Sequence, residues 1–168
     1  MSKSRILVTL VENKTGVLNR ISSLFRRRKF NIKSLTVGET EREGISRMTI
    51  VVDSEKTNVD QVIKQMYKII NVLKVSDITM DSCVKRELAL IKVFAKKESR
   101  AEIMQIVDIF RAKIVDVAMD SLMIEITGNT NKIDSFLDLV RKFGIKEMVR
   151  TGITAMNRGV SGEVTAKK

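Results

Sequence analysis

The sequence predicts an α+β protein made of two βαββαβ units in tandem, each with its helices on one face of an antiparallel sheet. Two observations lead there. Apolar spacing switches between the two-residue period of strands and the 3.6-residue period of helices in the order strand, helix, strand, strand, helix, strand, and that order occurs twice in 168 residues. With 43% apolar and 30% charged residues, the composition supports packed cores under a solvated surface.

The first unit opens with the β-rich run Ile6 to Val11. After the turn Asn13 to Gly16 the period changes, and Val17, Leu18, Ile21, Leu24 and Phe25 fall at helical spacing up to about Lys29. Asn31, Ile32 and Ser34 to Val37 read as a strand. The glycine-bounded, charged connection Gly38 to Gly44 joins it to Ser46–Val52, where Met48, Ile50 and Val52 alternate with Arg47, Thr49 and Val51, so the two form a hairpin. Thr57 or Asn58 caps a helix whose apolar face is Val59, Val62, Ile63, Met66, Ile69 and Ile70. Leu73 to Met80 returns to strand.

The second unit repeats the order. A long strand carries Leu88, Leu90, Val93 and Phe94, and Ser99 with Glu102 has the spacing of a capping box before the stripe Ile103, Ile106, Val107, Phe110. Lys113–Ala118 and Leu122–Thr127 form a second strand pair around Met119 to Ser121. Asn129 or Thr130 caps a helix with Ile133, Phe136, Leu137 and Val140 inward, Gly144 ends it, and Ile145–Ala155 is the last strand. The segment after Asn157 has almost no apolar content and reads as a mobile tail. Met48, Met66, Met80, Met104, Met119 and Met123 lie in or beside apolar patterns, which suggests core filling.

This is the split-βαβ, ferredoxin-like arrangement used twice, with domains at 1–80 and 81–157 and a tail at 158–168. Each sheet has one face without helices, and that face must be covered or polar; pairing with a second copy is one solution.

Composition narrows the function. Histidine is absent, which removes the usual general base and the commonest metal ligand. One cysteine, Cys83, permits no intrachain disulfide and no thiolate cluster, in keeping with a reducing cytoplasm. Asp116, Asp120 and Glu125 alternate along predicted strands rather than converging on a cation. No leader or long apolar run is expected, so the chain reads as soluble, with no membrane partner. The net charge of +11 prompts the question of nucleic acid. Its dense run, Arg26 to Lys29, falls at a predicted helix C-terminus, where cations meet the dipole favourably.

The outstanding segment is Glu12-Asn13-Lys14-Thr15-Gly16-Val17-Leu18-Asn19-Arg20, a strand end passing through a glycine turn into a helix start. Such a junction presents unpaired N–H groups and the positive end of a helix dipole, both suited to a carboxylate or phosphate. Gly16 lets a ligand approach the backbone closely. The plain alternative is that Thr15 and Gly16 only form the turn and the cap.

Leu10-Val11-Glu12-Asn13, Gly16-Val17-Leu18 with Arg20, Phe30-Asn31-Ile32, Ser34-Leu35-Thr36-Val37 and Ser46-Arg47-Met48-Thr49-Ile50 together resemble the ACT domain of acetohydroxyacid synthase (acetolactate synthase) small subunits. A looser likeness continues through Val84 to Leu88, Ile109 to Val117 and Arg150-Thr151-Gly152. The resemblance implies a non-catalytic regulatory subunit that activates a large catalytic subunit and confers feedback inhibition, usually by valine, in branched-chain amino acid biosynthesis. It implies a homodimer of ACT domains with the effector at their interface, held by Asn13, Gly16, Val17 and Leu18 of one copy and by Asn31 and Ile32 of the other. Thiamine diphosphate, Mg²⁺ and FAD would then belong to the catalytic partner, and this chain would carry no cofactor.

Two other readings fit parts of the sequence. A stand-alone amino-acid sensor, or a regulator of another biosynthetic enzyme, shares the architecture. An RNA-recognition module shares the element order and the basic charge, but Ser46 to Val52 lacks the stacking aromatics, and the chain has six Phe, one Tyr and no Trp.

Overall fold

The computed structural model describes residues 4–53 and 58–159. The chain forms two compact units, one comprising the residues up to Val84 and again from Ile153 on, the other Lys85–Gly152.

In the first unit, β1 (Ser4–Glu12), α1 (Val17–Arg27), β2 (Ile32–Glu39), β3 (Ile45–Asp53), α2 (Val59–Met66) and β4 (Val72–Asp77) build an antiparallel sheet in the order β2-β3-β1-β4. Alternation sends Leu7, Val11, Met48, Ile50 and Val52 to the helix face, where they meet Val17, Ile21, Leu24 and Phe25 of α1 and Val59, Val62 and Met66 of α2. α1 ends because Lys29 turns left-handed at φ 58, and the N–H of Phe30 reaches back 2.9 Å to the carbonyl of Phe25. Asn58 caps α2 by accepting from the N–H of Gln61 at 3.2 Å, while Thr57 lies outside the described residues. α2 is shorter than the periodicity suggests. Ile69 still packs on the core, but Ile70 is 86% exposed.

In the second unit, β5 (Cys83–Phe94), α3 (Arg100–Ile109), β6 (Lys113–Val117), β7 (Ser121–Gly128), α4 (Thr130–Val140) and β8 (Ile145–Arg150) form a sheet ordered β6-β7-β5-β8. Its core joins Ala89, Ile91 and Val93 of β5 to Ile103, Val107, Ile133 and Phe136, with Phe110 meeting Phe136 edge to face at 5.4 Å. The inward face of β5 is thus the opposite one to Leu88, Leu90 and Phe94. The expected capping box at Ser99 does not form: its hydroxyl donates to the carbonyl of Lys96, and Glu102 instead pairs with Lys142. Asn129 does cap α4, accepting from the N–H of Lys132 at 2.8 Å. Asn129→Ala is therefore expected to cost about 1 kcal/mol, measured as a shift in the denaturation midpoint.

The last strand departs from expectation. It was expected to run from Ile145 to Ala155, yet β8 stops at Arg150, the backbone turns at Gly152 with φ 83, and a separate strand β9 (Thr154–Asn157) follows. β9 belongs to the first unit and pairs with β5. Ile153 and Ala155 lie on the helix-free face of the first sheet against Ile6, Val8, Val51, Ile78 and Cys83. Polar contacts fix the crossing: the N–H of Ile153 donates to Ser34 Oγ, Arg47 Nη2 donates to the Ala155 carbonyl at 2.9 Å, and the N–H of Arg158 donates to the Ser82 carbonyl. Burial pulls the Arg47 guanidinium below its ordinary pKa. The chain thus covers part of that face itself. The expected mobile tail, 158–168, lies outside the described residues apart from Arg158 and Gly159.

The methionines divide. Met48 and Met66 are buried, whereas Met80, Met104 and Met119 are exposed, in the bend after β4, on the surface of α3 and in the turn between β6 and β7.

Candidate functional site

The junction of β1 and α1 forms because Gly16 holds φ 85 and ψ −5, a left-handed conformation that side chains with a Cβ rarely adopt. A Cβ built there would meet nothing within 4 Å, so the glycine opens onto free space. The N–H of Asn13 donates to the Gly44 carbonyl at 2.7 Å, and the N–H of Val17 to that of Lys14 at 3.3 Å. No side chain caps α1 and its first turn has no acidic residue. The N–H groups of Leu18 and Asn19, in that first turn, have no intrahelical acceptor, and the positive end of the dipole is not neutralised.

The six residues singled out from the sequence fall into two groups. Val17 is buried in the core and can offer only its backbone, while Leu18 is exposed beside the turn. Asn13 is exposed, and its Nδ2 donates to Glu39 Oε1 at 2.8 Å. Asn31 is exposed with its carbonyl accepting from Asp53, and Ile32 packs against the core from the start of β2. Within one chain the groups are apart, because Glu12 pairs with Ile45 and Ile32 pairs with Val52 at opposite ends of β3. Seven residue steps along the strand separate them, roughly 23 Å.

Two further residues shape the turn. Asn71 is buried; its Nδ2 donates to Glu12 Oε2 at 2.6 Å and its Oδ1 accepts from Arg20 at 2.5 Å, fastening the end of β1 to α1. That bond, followed by one from Lys14, holds the Glu12 carboxyl below the usual carboxylate range. Glu39 is the other, at the far end of β2. Neither was legible as a site residue: Asn71 sits in an apolar context and Glu39 in a run that reads as a charged connection.

Among the described residues no group of three or more Asp, Glu or Cys is placed to hold a metal ion. Asp120, weighed as a ligand from the sequence, pairs with Lys146 at 2.6 Å. No helix among the described residues is long and apolar enough to cross a membrane.

A βαββαβ sheet with a glycine turn opening an uncapped helix is the arrangement of an ACT domain, and residues 7–74 match the family model described as the AHAS small subunit-like ACT domain. Residues 86–159 match the model of the small subunit of acetolactate synthase. The chain is 58% identical over 153 residues to a probable acetolactate synthase small subunit of Archaeoglobus fulgidus, covering 91% of this chain and 96% of the relative. It is 50% identical over 165 residues to the acetolactate synthase small subunit of Bacillus subtilis, covering 98% and 96%. The crystal structure of the acetolactate synthase small subunit from Thermotoga maritima superposes with a TM-score of 0.86 at 43% identity, covering 94% of this chain and 98% of that one. The chain belongs to the acetolactate synthase small-subunit family.

Proposed function

We propose that this chain is the non-catalytic regulatory subunit of a cytoplasmic acetolactate synthase, activating the catalytic subunit and making it sensitive to valine. Residues 1–80 act as the effector-binding, dimerising domain, with β9 returning to it, and the rest of 81–157 as the second domain. The observation that carries the effector site is the bond from Asn13 to Glu39, which ties the glycine turn to the far end of β2, an edge strand of its sheet. Antiparallel two-fold pairing of two β2 edges, centred on Leu35, sets Ile32 opposite the partner's Gly38, next to Glu39. It brings the partner's Asn31 and Ile32 beside Asn13 to Leu18, and the two-fold axis makes two such sites.

The chemistry of that juxtaposition suits an α-amino acid. First-turn N–H groups of α1 take the carboxylate, the amides of Asn13 and of the partner's Asn31 take the polar ends, and the partner's Ile32 bounds a small apolar pocket. Valine inhibits by binding the low-activity arrangement of the complex more tightly; tenfold tighter binding corresponds to about 1.4 kcal/mol of coupling. Thiamine diphosphate, Mg²⁺ and FAD serve the catalytic subunit in this reading.

Reconstitution tests it. The full chain mixed with its catalytic subunit is expected to raise acetolactate formation and to confer inhibition by valine. Failure of the two chains to associate would overturn the proposal.

A further inference from the structure

A basic groove lies between α1 and the connection from α2 to β4. Arg20, Arg27, Arg28 and Lys68 line it, with Leu24 and Ile69 between them, and no carboxylate does. Two of these cations are held by neutral amides and not by carboxylates. Elsewhere Arg5, Lys92, Lys142, Lys146 and Arg150 are paired with carboxylates. Here Arg20 is fixed by the amide oxygen of Asn71 and Arg28 by that of Gln65 at 3.3 Å. A neutral amide orients a guanidinium without cancelling its charge, and leaves its other donors free. Arg27 and Lys68 have no ion pair among the described residues.

The helix dipole accounts for Arg26 and Arg27 in the last turn of α1. It does not account for Lys68, which comes from the other wall, nor for Arg20, one turn from the positive end of α1. Four positive charges that repel one another across a groove are stabilised by an anionic occupant. Leu24 and Ile69 give that occupant an apolar strip, and no aromatic side chain lines the groove to stack a base.

We infer that this groove docks an acidic, partly apolar surface segment of the catalytic subunit. The inference rests on the regulatory-subunit reading and adds to it the face through which the subunits meet. It leaves the β2 edge free for dimerisation.

The test uses the full chain and its catalytic subunit, following the small-subunit concentration that gives half-maximal activation across a salt series. Arg27→Glu combined with Lys68→Glu is expected to raise that concentration about 30-fold at low salt and to flatten its salt dependence. Lys97→Glu, an exposed charge in the second unit, is the matched control and is expected to change it less than about twofold. A melting curve and valine titration of the double variant check that the fold and the effector site persist. An unchanged half-activating concentration would overturn the inference, as would RNA binding at physiological salt that the double variant loses while activation is retained. Should the unaltered chain fail to associate, the regulatory-subunit reading falls and the docking face with it.

Discussion

Replacing Gly16 with Asp is expected to weaken valine binding at least about 100-fold while the fold persists. The added carboxylate would stand at the uncapped start of α1, where the effector carboxylate is proposed to sit, and would occupy the same N–H groups and the same end of the dipole. The cost to folding is modest. A Cβ there meets no atom within 4 Å, so the penalty is the left-handed backbone alone, about 1 kcal/mol and less for Asp and Asn than for other residues. Calorimetry on the purified variant measures the affinity, and a denaturant melt reports the fold. Gly16→Asn separates charge from backbone strain, since it carries a similar strain without the anion and is expected to retain more affinity. Unchanged valine affinity in the Asp variant would place the site elsewhere.

The second large effect concerns β9. A chain ending at Gly152 loses the contacts of Ile153 and Ala155 with Ile6, Val8, Val51 and Ile78, together with the hydrogen bonds from Ile153 to Ser34 and from Arg47 to Ala155. Burial and hydrogen bonding favour the native arrangement, and the entropy of ordering the segment opposes it, leaving a net loss on the order of 3 kcal/mol for the first unit. The uncovered face is apolar and strand-rich, so the truncated chain is also expected to bind a hydrophobic dye and to self-associate in sedimentation. A chain ending at Gly159 keeps β9 and is expected to match the 168-residue chain in both measurements.

Much of the fold could be read from local periodicity, because both cores are built from residues whose spacing announces their element: Leu7 and Val11 on a strand, Ile21, Leu24 and Phe25 on a helix. The misreadings share a cause. Ser99 has the right spacing for a capping box, but Lys142 outcompetes the helix N-terminus for Glu102. Ile145–Ala155 reads as one strand because apolar residues flank Gly152 on both sides, but that glycine takes φ 83 and turns the chain so that Ile153 and Ala155 cover Ile6, Val8 and Val51. The candidate site was legible where it depends on backbone, at Gly16. It was not legible at Asn71 and Glu39, whose roles arise from pairing residues 59 and 26 positions away.

The route of β9 also sets an order of events during synthesis. A ribosome finishes the continuous unit 85–152 while the first unit still lacks a strand, and that intervening stretch takes roughly 3–14 s to translate. The usual sequence, in which the N-terminal domain matures first, is thereby reversed. Throughout that interval the apolar face that β9 will cover stays exposed on the nascent sheet, a surface of the kind chaperones bind.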